Sequence, residues 1–238
     1  MTLEQWREKD KIRAAAEKEK IKEQEARGAD IIRRLANGEK VTPILPRPEN
    51  EPKILQQFSV YDKLTKTEAQ ILAQVNPNYS TGKYEWTHNC QRCVVAWELL
   101  QRGYNVTAKP FDKNDLIKDN GIAAWRFDSK VWWKDSNVVW DFTKSDFKKV
   151  LKQNFDRWGE NARVMVRVKW IEGSAHFFTV ECINGKLNYI DPQSATIINI
   201  DEILKKVSII KWETWFMRID GRRLSEAVTD AVKNWDGV

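Results

Sequence analysis

The residues of this chain best suited to chemistry are two cysteines that stand three positions apart in the run 88–93. Asn89 has the side chain of a helix N-cap, and Gly103 stands where a helix commonly ends, which predicts a helix that begins near Cys90. The apolar residues that keep helical spacing along it are Cys93, Val94, Trp97 and Leu100. Cys90 is then in the first turn, where the positive end of the helix dipole favours a thiolate. This is the usual setting of a cysteine nucleophile, and it also suits an ordinary buried cysteine.

A reacting cysteine needs a base, and the sequence holds only two histidines, His88 and His176. His176 lies in a predicted strand that is followed by Asn184-Gly185, the dipeptide preferred in two-residue β-hairpin loops. With such a loop, the register of the hairpin places Asp191 diagonally across from His176 on the same face of the sheet. A carboxylate at that position can orient the imidazole.

A cysteine, a histidine and a carboxylate in this chain order are the groups of a papain-like site. In the predicted roles, Cys90 attacks an amide carbonyl, His176 exchanges protons with the thiol and the leaving amine, and Asp191 fixes the tautomer. The backbone N–H of Cys90 is a candidate oxyanion donor, with Asn89 and Gln193 as candidate side-chain donors for the oxyanion or the substrate. This chemistry requires no cofactor and no metal.

Several stretches around these residues carry a resemblance to a known family. They surround the cysteine, the histidine strand, an Asp-Pro-Gln turn and a closing strand, and they span 76–79, 88–99, 102–106, 175–178, 191–193 and 218–220. Together they resemble the papain-fold toxin domain of bacterial polymorphic toxins and phage minor head proteins, whose relatives include effector glutamine deamidases. The resemblance covers residues 74–222 and implies Cys90, His176 and Asp191 as the catalytic triad. Ala175 stands where many members have glycine.

Other interpretations of the cysteines follow from their spacing. Cys90 and Cys93 form a Cys-x-x-Cys motif at a helix start, which is also the arrangement of redox pairs, although no βαβ pattern precedes it. With His176 and Cys182 they would supply four zinc ligands, but a second close pair is missing. We expect Cys93 and Cys182 to be core residues, and His88 to lie in a loop.

The sequence predicts three segments. Residues 1–40 are rich in Glu, Lys, Arg, Gln and Ala, which predicts a charged helix that is solvated or binds a partner. Residues 41–60 include four prolines within 43–52, which is typical of an extended linker. Residues 61–238 form the expected papain-like catalytic domain.

The predicted fold class is α+β, with N-terminal helices packed on an antiparallel sheet and the charged helix as an addition. The predicted helices span 65–75 with Thr65 as the cap, the stretch from Ser145 to Gly159, 201–207, and 224–235. The predicted strands span 105–109, 162–170, 175–182, 186–191 and 209–219.

Composition limits the partners and the location. The net charge is +6, but the 40 basic residues are interleaved with 34 acidic ones, which argues against a specific nucleic-acid site. No apolar run reaches the ~20 residues of a membrane span, and the first ten residues lack the apolar core of a signal peptide. Three cysteines do not suggest a disulfide framework. We expect a protein of the producing cell's cytoplasm, with packaging in a virion or delivery to a target cell as export routes.

The expected function is hydrolysis of an amide in a protein substrate, most simply the deamidation of a glutamine side chain by a phage- or toxin-associated effector. A cysteine peptidase or isopeptidase uses the same groups, because only the leaving amine differs. An alternative from another class is an inert phage structural or interaction protein, which docks to a capsid or another partner through its N-terminal helix.

Overall fold

The computed structural model describes residues 53–61, 66–112, 132–133, 138–210 and 213–237. The predicted charged helix and most of the predicted linker lie outside these ranges. Leu55 and Phe58, at the C-terminal end of the predicted linker, are buried in a core that they share with the following domain. This end of the linker therefore packs on the domain, because two large apolar side chains leave water there.

The described residues form the following α-helices: α1 (Glu68–Val75), α2 (Tyr84–Thr87), α3 (Cys90–Gln101), α4 (Phe147–Trp158), α5 (Ile200–Lys206) and α6 (Val228–Ala231). Short 3-10 helices span Lys53–Gln57 and Tyr79–Thr81. Among these residues, no helix combines the length and apolar character that crossing a membrane requires.

The described strands form two antiparallel sheets. They are β1 (Val106–Ala108), β2 (Val138–Val139), β3 (Arg163–Trp170), β4 (Ala175–Ile183), β5 (Lys186–Asp191), β6 (Thr196–Ile197), β7 (Val207–Ser208), β8 (Trp215–Arg218) and β9 (Val232–Asn234). The larger sheet has the order β2-β8-β3-β4-β5-β6, and β7 also pairs with β3; β1 and β9 form the second sheet. Helices on a mostly antiparallel sheet confirm the α+β class.

The hairpin of β4 and β5 has the predicted two-residue loop. Asn184 and Gly185 have φ values of 53° and 69°, the positive values that a type I′ turn needs at both central positions. The register that follows is the predicted one, with Thr179 paired to Ile190. Asp191 comes one position further and ends β5.

The alternation of side chains along the sheet separates two apolar cores. Phe177 packs into the core that contains helix α3, and Phe178 packs into the core that contains helix α4. The buried residues of α4 are Phe147, Leu151 and Phe155, which lie on one face of that helix. Helices α3 and α4 thus pack on opposite faces of the larger sheet.

Two predicted helix caps are displaced. The N-cap of helix α1 lies two residues later than predicted, at Thr67. Thr67 forms a capping box with Gln70, the same motif that was predicted for Thr65 and Glu68. Helix α4 has Asp146 as its N-cap residue, without a side-chain cap bond. Ser145 instead hydrogen-bonds to Thr143 at 2.9 Å. By contrast, helix α3 ends before Gly103 as predicted.

The predictions for the C-terminal part were wrong in two places. Among the described residues of the predicted strand 209–219, only Trp215–Arg218 form a strand, β8, and the short strand β7 ends just before the predicted range. The predicted closing helix is only the four residues of α6, and the chain then turns into β9. Strand β1 accounts for the second difference, because Val106 pairs with Asn234 and Ala108 with Val232. Val232 is β-branched and lies beside β1, so pairing with β1 is favoured over a further turn of helix α6.

Helix α3 is attached to the sheet by a buried carboxylate. Glu98 has no exposed surface and accepts bonds from Arg102 Nε at 2.8 Å and from Arg163 Nε at 2.7 Å. Arg102 also donates to the carbonyl of Ile219 at 2.9 Å, and Arg163 belongs to β3. Burial raises the pKa of Glu98, but the two guanidinium groups outweigh it and hold the pKa below its usual value.

Replacing Glu98 with Ala is expected to lower the free energy of unfolding by about 3–5 kcal/mol, because two buried arginines lose their counter-charge. Urea denaturation measures this loss. The matched control is Asp156→Ala, which breaks the exposed pair with Lys152 and should cost less than about 1 kcal/mol. Equal effects of the two substitutions would contradict the structural role of the buried network.

Candidate functional site

Cys90 occupies the predicted position at the start of helix α3. It is the first helical residue and is partly exposed. Asn89 is the N-cap by position, and its carbonyl accepts the bond from the Cys93 N–H at 3.1 Å. The N–H groups of a first helical turn have no partner within the helix, and they create a positive potential. A sulfur at this place lies where negative charge is stabilised.

His176, the second residue of β4, contacts two side chains of the site. Its Nε2 lies 3.1 Å from Oδ2 of Asp191. The ring also hydrogen-bonds to the side chain of Cys90. Because Nε2 is engaged with the carboxylate, Nδ1 is the nitrogen that remains for the sulfur. The structure therefore brings Cys90, His176 and Asp191 together.

The turn after β5 holds the carboxylate of Asp191 in place. Oδ1 accepts the backbone N–H of Gln193 at 2.9 Å, and Oδ2 accepts the hydroxyl of Ser194 at 2.9 Å. Burial raises the pKa of Asp191, but the bonds and charge of His176, with the Ser194 and Gln193 bonds, outweigh it and bring the pKa below its usual value. The carboxylate is ionised at neutral pH.

The protonation of His176 follows from its two neighbours. Burial lowers the pKa of His176, but the hydrogen bonds of its ring to Asp191 and Cys90 and the charges of both groups raise it to about 10. The ring is therefore an imidazolium at neutral pH. An imidazolium beside a cysteine favours the thiolate form, which is the nucleophilic one.

The other cysteines lie apart from this chemistry. Cys93 is fully buried in the α3 core, and burial, followed by the charges of Cys90 and Asp191, raises the pKa of its thiol well above the usual value. Cys182 is buried in the other core, with Sγ 3.9 Å from the Glu160 carboxylate. Both are core residues, as predicted. Among the described residues, no group of three His, Cys, Asp or Glu side chains is arranged to hold a metal ion.

His88 belongs to the surface next to helix α2. Its ring stacks on Tyr84 with the ring centroids 3.8 Å apart. Its Nδ1 lies 3.0 Å from the hydroxyl of Thr87 and 3.0 Å from the carbonyl of Tyr84. His88 is therefore held by the residues that precede it, and His176 is the histidine at the site.

The two predicted side-chain donors lie in a cluster of buried amides. Gln193 Nε2 donates to Asn89 Oδ1 at 3.2 Å, and Asn89 Nδ2 donates to the Lys109 carbonyl at 3.1 Å. Asn76 Nδ2 donates to the Gln193 carbonyl at 3.0 Å and to Asn89 Oδ1 at 3.2 Å. The Asn89 side chain thus makes no helix-cap bond. The cluster joins the residue before Cys90 to the turn after Asp191.

Three residues that contact the site or its supports were not predicted from the sequence. Ser194 bonds to Asp191, Asn76 holds the amide cluster, and the Trp170 ring stacks on His176. A signal existed for Ser194, because an Asp-Pro turn followed by a serine commonly places a hydroxyl near the aspartate. A signal also existed for Trp170, since strand register makes it a diagonal neighbour of His176. Asn76 begins the stretch 76–79 that contributed to the family resemblance, but no role was predicted for it.

A helix-borne cysteine that meets a strand-borne histidine, itself oriented by a carboxylate, defines the papain-like class of sites. Comparison with known families agrees. Residues 88–196, just under half of the chain, match the family described as papain fold toxin 1, glutamine deamidase. The matched segment contains Cys90, His176 and Asp191, and the match confirms the family resemblance found in the sequence. No curated protein and no solved structure matches the chain.

Replacing Asp191 with Asn is expected to lower the pKa of His176, because the carboxylate bond and charge that raise it to about 10 are lost. A raised folded-state pKa contributes stability that is complete below the unfolded value of 6.5 and is lost as the pH rises through about 10. The depressed pKa of Asp191 contributes stability above its ordinary 3.8 that is lost at lower pH.

The measurement is the free energy of unfolding as a function of pH. Wild-type protein should lose stability between pH 6.5 and about 10 more steeply than Asp191→Asn. Asp201→Asn, at an exposed carboxylate that pairs with Lys148, is the control and should keep the wild-type slope over this interval. Parallel curves for wild type and Asp191→Asn would contradict the ion pair.

Proposed function

We propose that this protein is a papain-like cysteine enzyme that deamidates a glutamine side chain of a protein substrate, as a toxin-type effector. The observation that carries the proposal is the imidazole of His176, which hydrogen-bonds to Cys90 on one side and to Asp191 on the other. The match of the surrounding segment to a glutamine deamidase family supports the choice of substrate group.

In the first half-reaction, the Cys90 thiolate attacks the carboxamide carbon of glutamine, and a C–S bond forms while the carbonyl oxygen becomes an oxyanion. The backbone N–H of Cys90, at the start of helix α3, is the proposed oxyanion donor. Gln193 retains one Nε2 hydrogen beyond its bond to Asn89 and is the proposed side-chain donor. His176 protonates the leaving nitrogen, the C–N bond breaks, and ammonia and a thioester result.

In the second half-reaction, the neutral His176 takes a proton from water, and the water oxygen attacks the thioester carbon. The C–S bond breaks, glutamate is released, and the thiolate–imidazolium pair of Cys90 and His176 is restored. Asp191 keeps the ring in one orientation throughout, since its own carboxylate is fixed by the turn that follows β5. A prearranged site of this kind lowers the entropy cost of each step.

A peptidase would use the same three side chains, and the leaving group separates the two activities. Deamidation releases ammonia and adds about one dalton to an intact substrate chain, whereas proteolysis shortens the chain. The family match favours deamidation.

Phage association of the enzyme, with residues 1–40 as the docking segment, is a proposal that rests on their composition. Deleting residues 1–40 should abolish partner binding and leave catalysis intact.

Cys90→Ala and His176→Ala are each expected to reduce deamidation by at least about 10³-fold, because each removes a group that takes part in bond making or proton transfer. The assay is mass spectrometry of a host lysate treated with each protein. Cys182→Ala is the matched control, since it removes a thiol from the opposite core and should keep activity. Full activity in folded Cys90→Ala protein would overturn the proposal, and shortened substrates would reassign it to proteolysis.

Thiol reactivity tests whether the domain is an enzyme or an inert interaction module. We expect iodoacetamide at neutral pH to alkylate Cys90 first, at a rate that falls roughly tenfold or more in His176→Ala, because the imidazolium no longer stabilises the thiolate. Peptide mapping identifies the modified cysteine, and buried Cys93 and Cys182 serve as internal controls. A slow Cys90 that does not respond to loss of His176 would favour the inert module.

A further inference from the structure

The imidazole of His176 has a third neighbour that takes no part in the chemistry described above. The indole of Trp170 lies nearly parallel to it, with the ring centroids 6.2 Å apart and an interplanar angle of 19°. Strand register explains the contact, because His176 pairs with Val168 across β3 and β4, which makes Trp170 the diagonal neighbour. The spacing lies within the range of offset-stacked aromatic pairs.

Trp170 and Asp191 lie diagonally across from His176 on the two strands that flank β4. Trp170 is the diagonal neighbour on β3, and Asp191 is the diagonal neighbour on β5, one position beyond the pair of Thr179 and Ile190. The carboxylate contacts Nε2 at 3.1 Å, whereas the indole lies nearly parallel to the imidazole, with the ring centroids 6.2 Å apart. The two neighbours therefore restrict different motions of the imidazole.

The backbone around Trp170 is itself fixed. Its N–H donates to the carbonyl of Ser174 at 2.9 Å, and its carbonyl accepts the N–H of Gly173 at 3.1 Å. Trp170 also pairs with Val207 across β7. The side chain packs against the apolar core that contains helix α4. Because backbone hydrogen bonds and core packing hold Trp170 in place, its side chain can restrict the position of the neighbouring imidazole.

We propose that Trp170 is a positioning residue that fixes the plane of the His176 ring and stabilises its imidazolium form through the indole face. The proposal rests on the cysteine–histidine chemistry put forward under Proposed function. The titratable groups that face the imidazole are Cys90 from α3 and Asp191 from β5, and Trp170 from β3 adds a neutral ring with a negative face. A cation over an indole is the most favourable cation–π pair.

The consequence is a graded effect of the side chain at position 170 on the titration of His176. Trp170→Leu removes the aromatic ring and should lower the titration midpoint of His176 by about half a pH unit. The free energy of a cation–π contact is roughly half of the free energy that corresponds to a shift of one pKa unit. Leucine still covers the site, so the hydration of the imidazole changes little. Trp170→Phe, with a weaker ring, should shift the midpoint in the same direction by less.

The experiment is an NMR titration of the imidazole resonances in the full chain. The chain has only two histidines, so His176 is identified by comparison with a His88→Gln variant. The matched control is Trp158→Leu. Trp158 packs against the same core and stacks edge-on with Phe155 at 5.6 Å, but it belongs to helix α4. Its loss should lower stability and leave the titration unchanged.

The titration midpoint of His176 should be highest in wild type, lower in Trp170→Phe and lowest in Trp170→Leu. In Trp158→Leu it should equal the wild-type value. The pH profile of Cys90 alkylation should move in the same order. An unchanged midpoint in folded Trp170→Leu, or an equal shift in Trp158→Leu, would overturn the proposal. Should Trp170→Leu not fold, Trp170→Phe with the wild-type midpoint overturns it. Because the titration does not require turnover, it is independent of whether Cys90→Ala abolishes deamidation.

Discussion

The structure depends most on the buried carboxylate of Glu98, which attaches helix α3 to the sheet. A buried charge is tolerated only when its partners are close and well oriented, and Arg102 and Arg163 meet this requirement at 2.8 and 2.7 Å. The ion pairs of Glu98 fix the position of helix α3 along β3, whereas an apolar contact would allow the helix to shift along the strand. Cys90 lies eight residues away on the same rigid helix, about 12 Å along its axis, so its place is fixed as well.

The amide cluster fixes the other end of the helix. Asn76, Asn89 and Gln193 are buried and bond to one another, which connects the start of α3 with the turn that orients Asp191. Buried amides that satisfy each other hold their segments in a single arrangement. The cysteine and the carboxylate come from segments about one hundred residues apart, and their relative position is controlled by hydrogen bonds outside the reacting groups.

The two cysteines of the Cys-x-x-Cys motif differ in chemistry because of one helical turn. Cys93 is fully buried in the core, and burial, followed by the charges of Cys90 and Asp191, raises the pKa of its thiol and keeps it neutral. Cys90 faces His176, whose imidazolium is maintained by Asp191 against the cost of burial. The same motif in another setting would suggest a redox pair. Here the neighbours, and not the spacing of the cysteines, determine which sulfur is suited to nucleophilic attack.

The sequence by itself determined the features that depend on neighbours along the chain. The start and end of helix α3 follow from spacing and from Gly103, and the β4–β5 register follows from Asn184-Gly185, so the contact of His176 with Asp191 was predictable. The family resemblance came from the same short stretches. These features are local, because a turn or a helical repeat is specified within a few residues.

Only the tertiary structure decided the contacts between distant segments. In the folded chain, the Asn89 side chain joins a buried amide cluster and does not cap helix α3. Residues 232–234 form a strand beside β1, and Glu98 pairs with Arg163. Each outcome depends on which other surface a side chain meets, and burial makes such a contact obligatory for a charge or an amide once the elements have packed. A linear pattern does not contain that information.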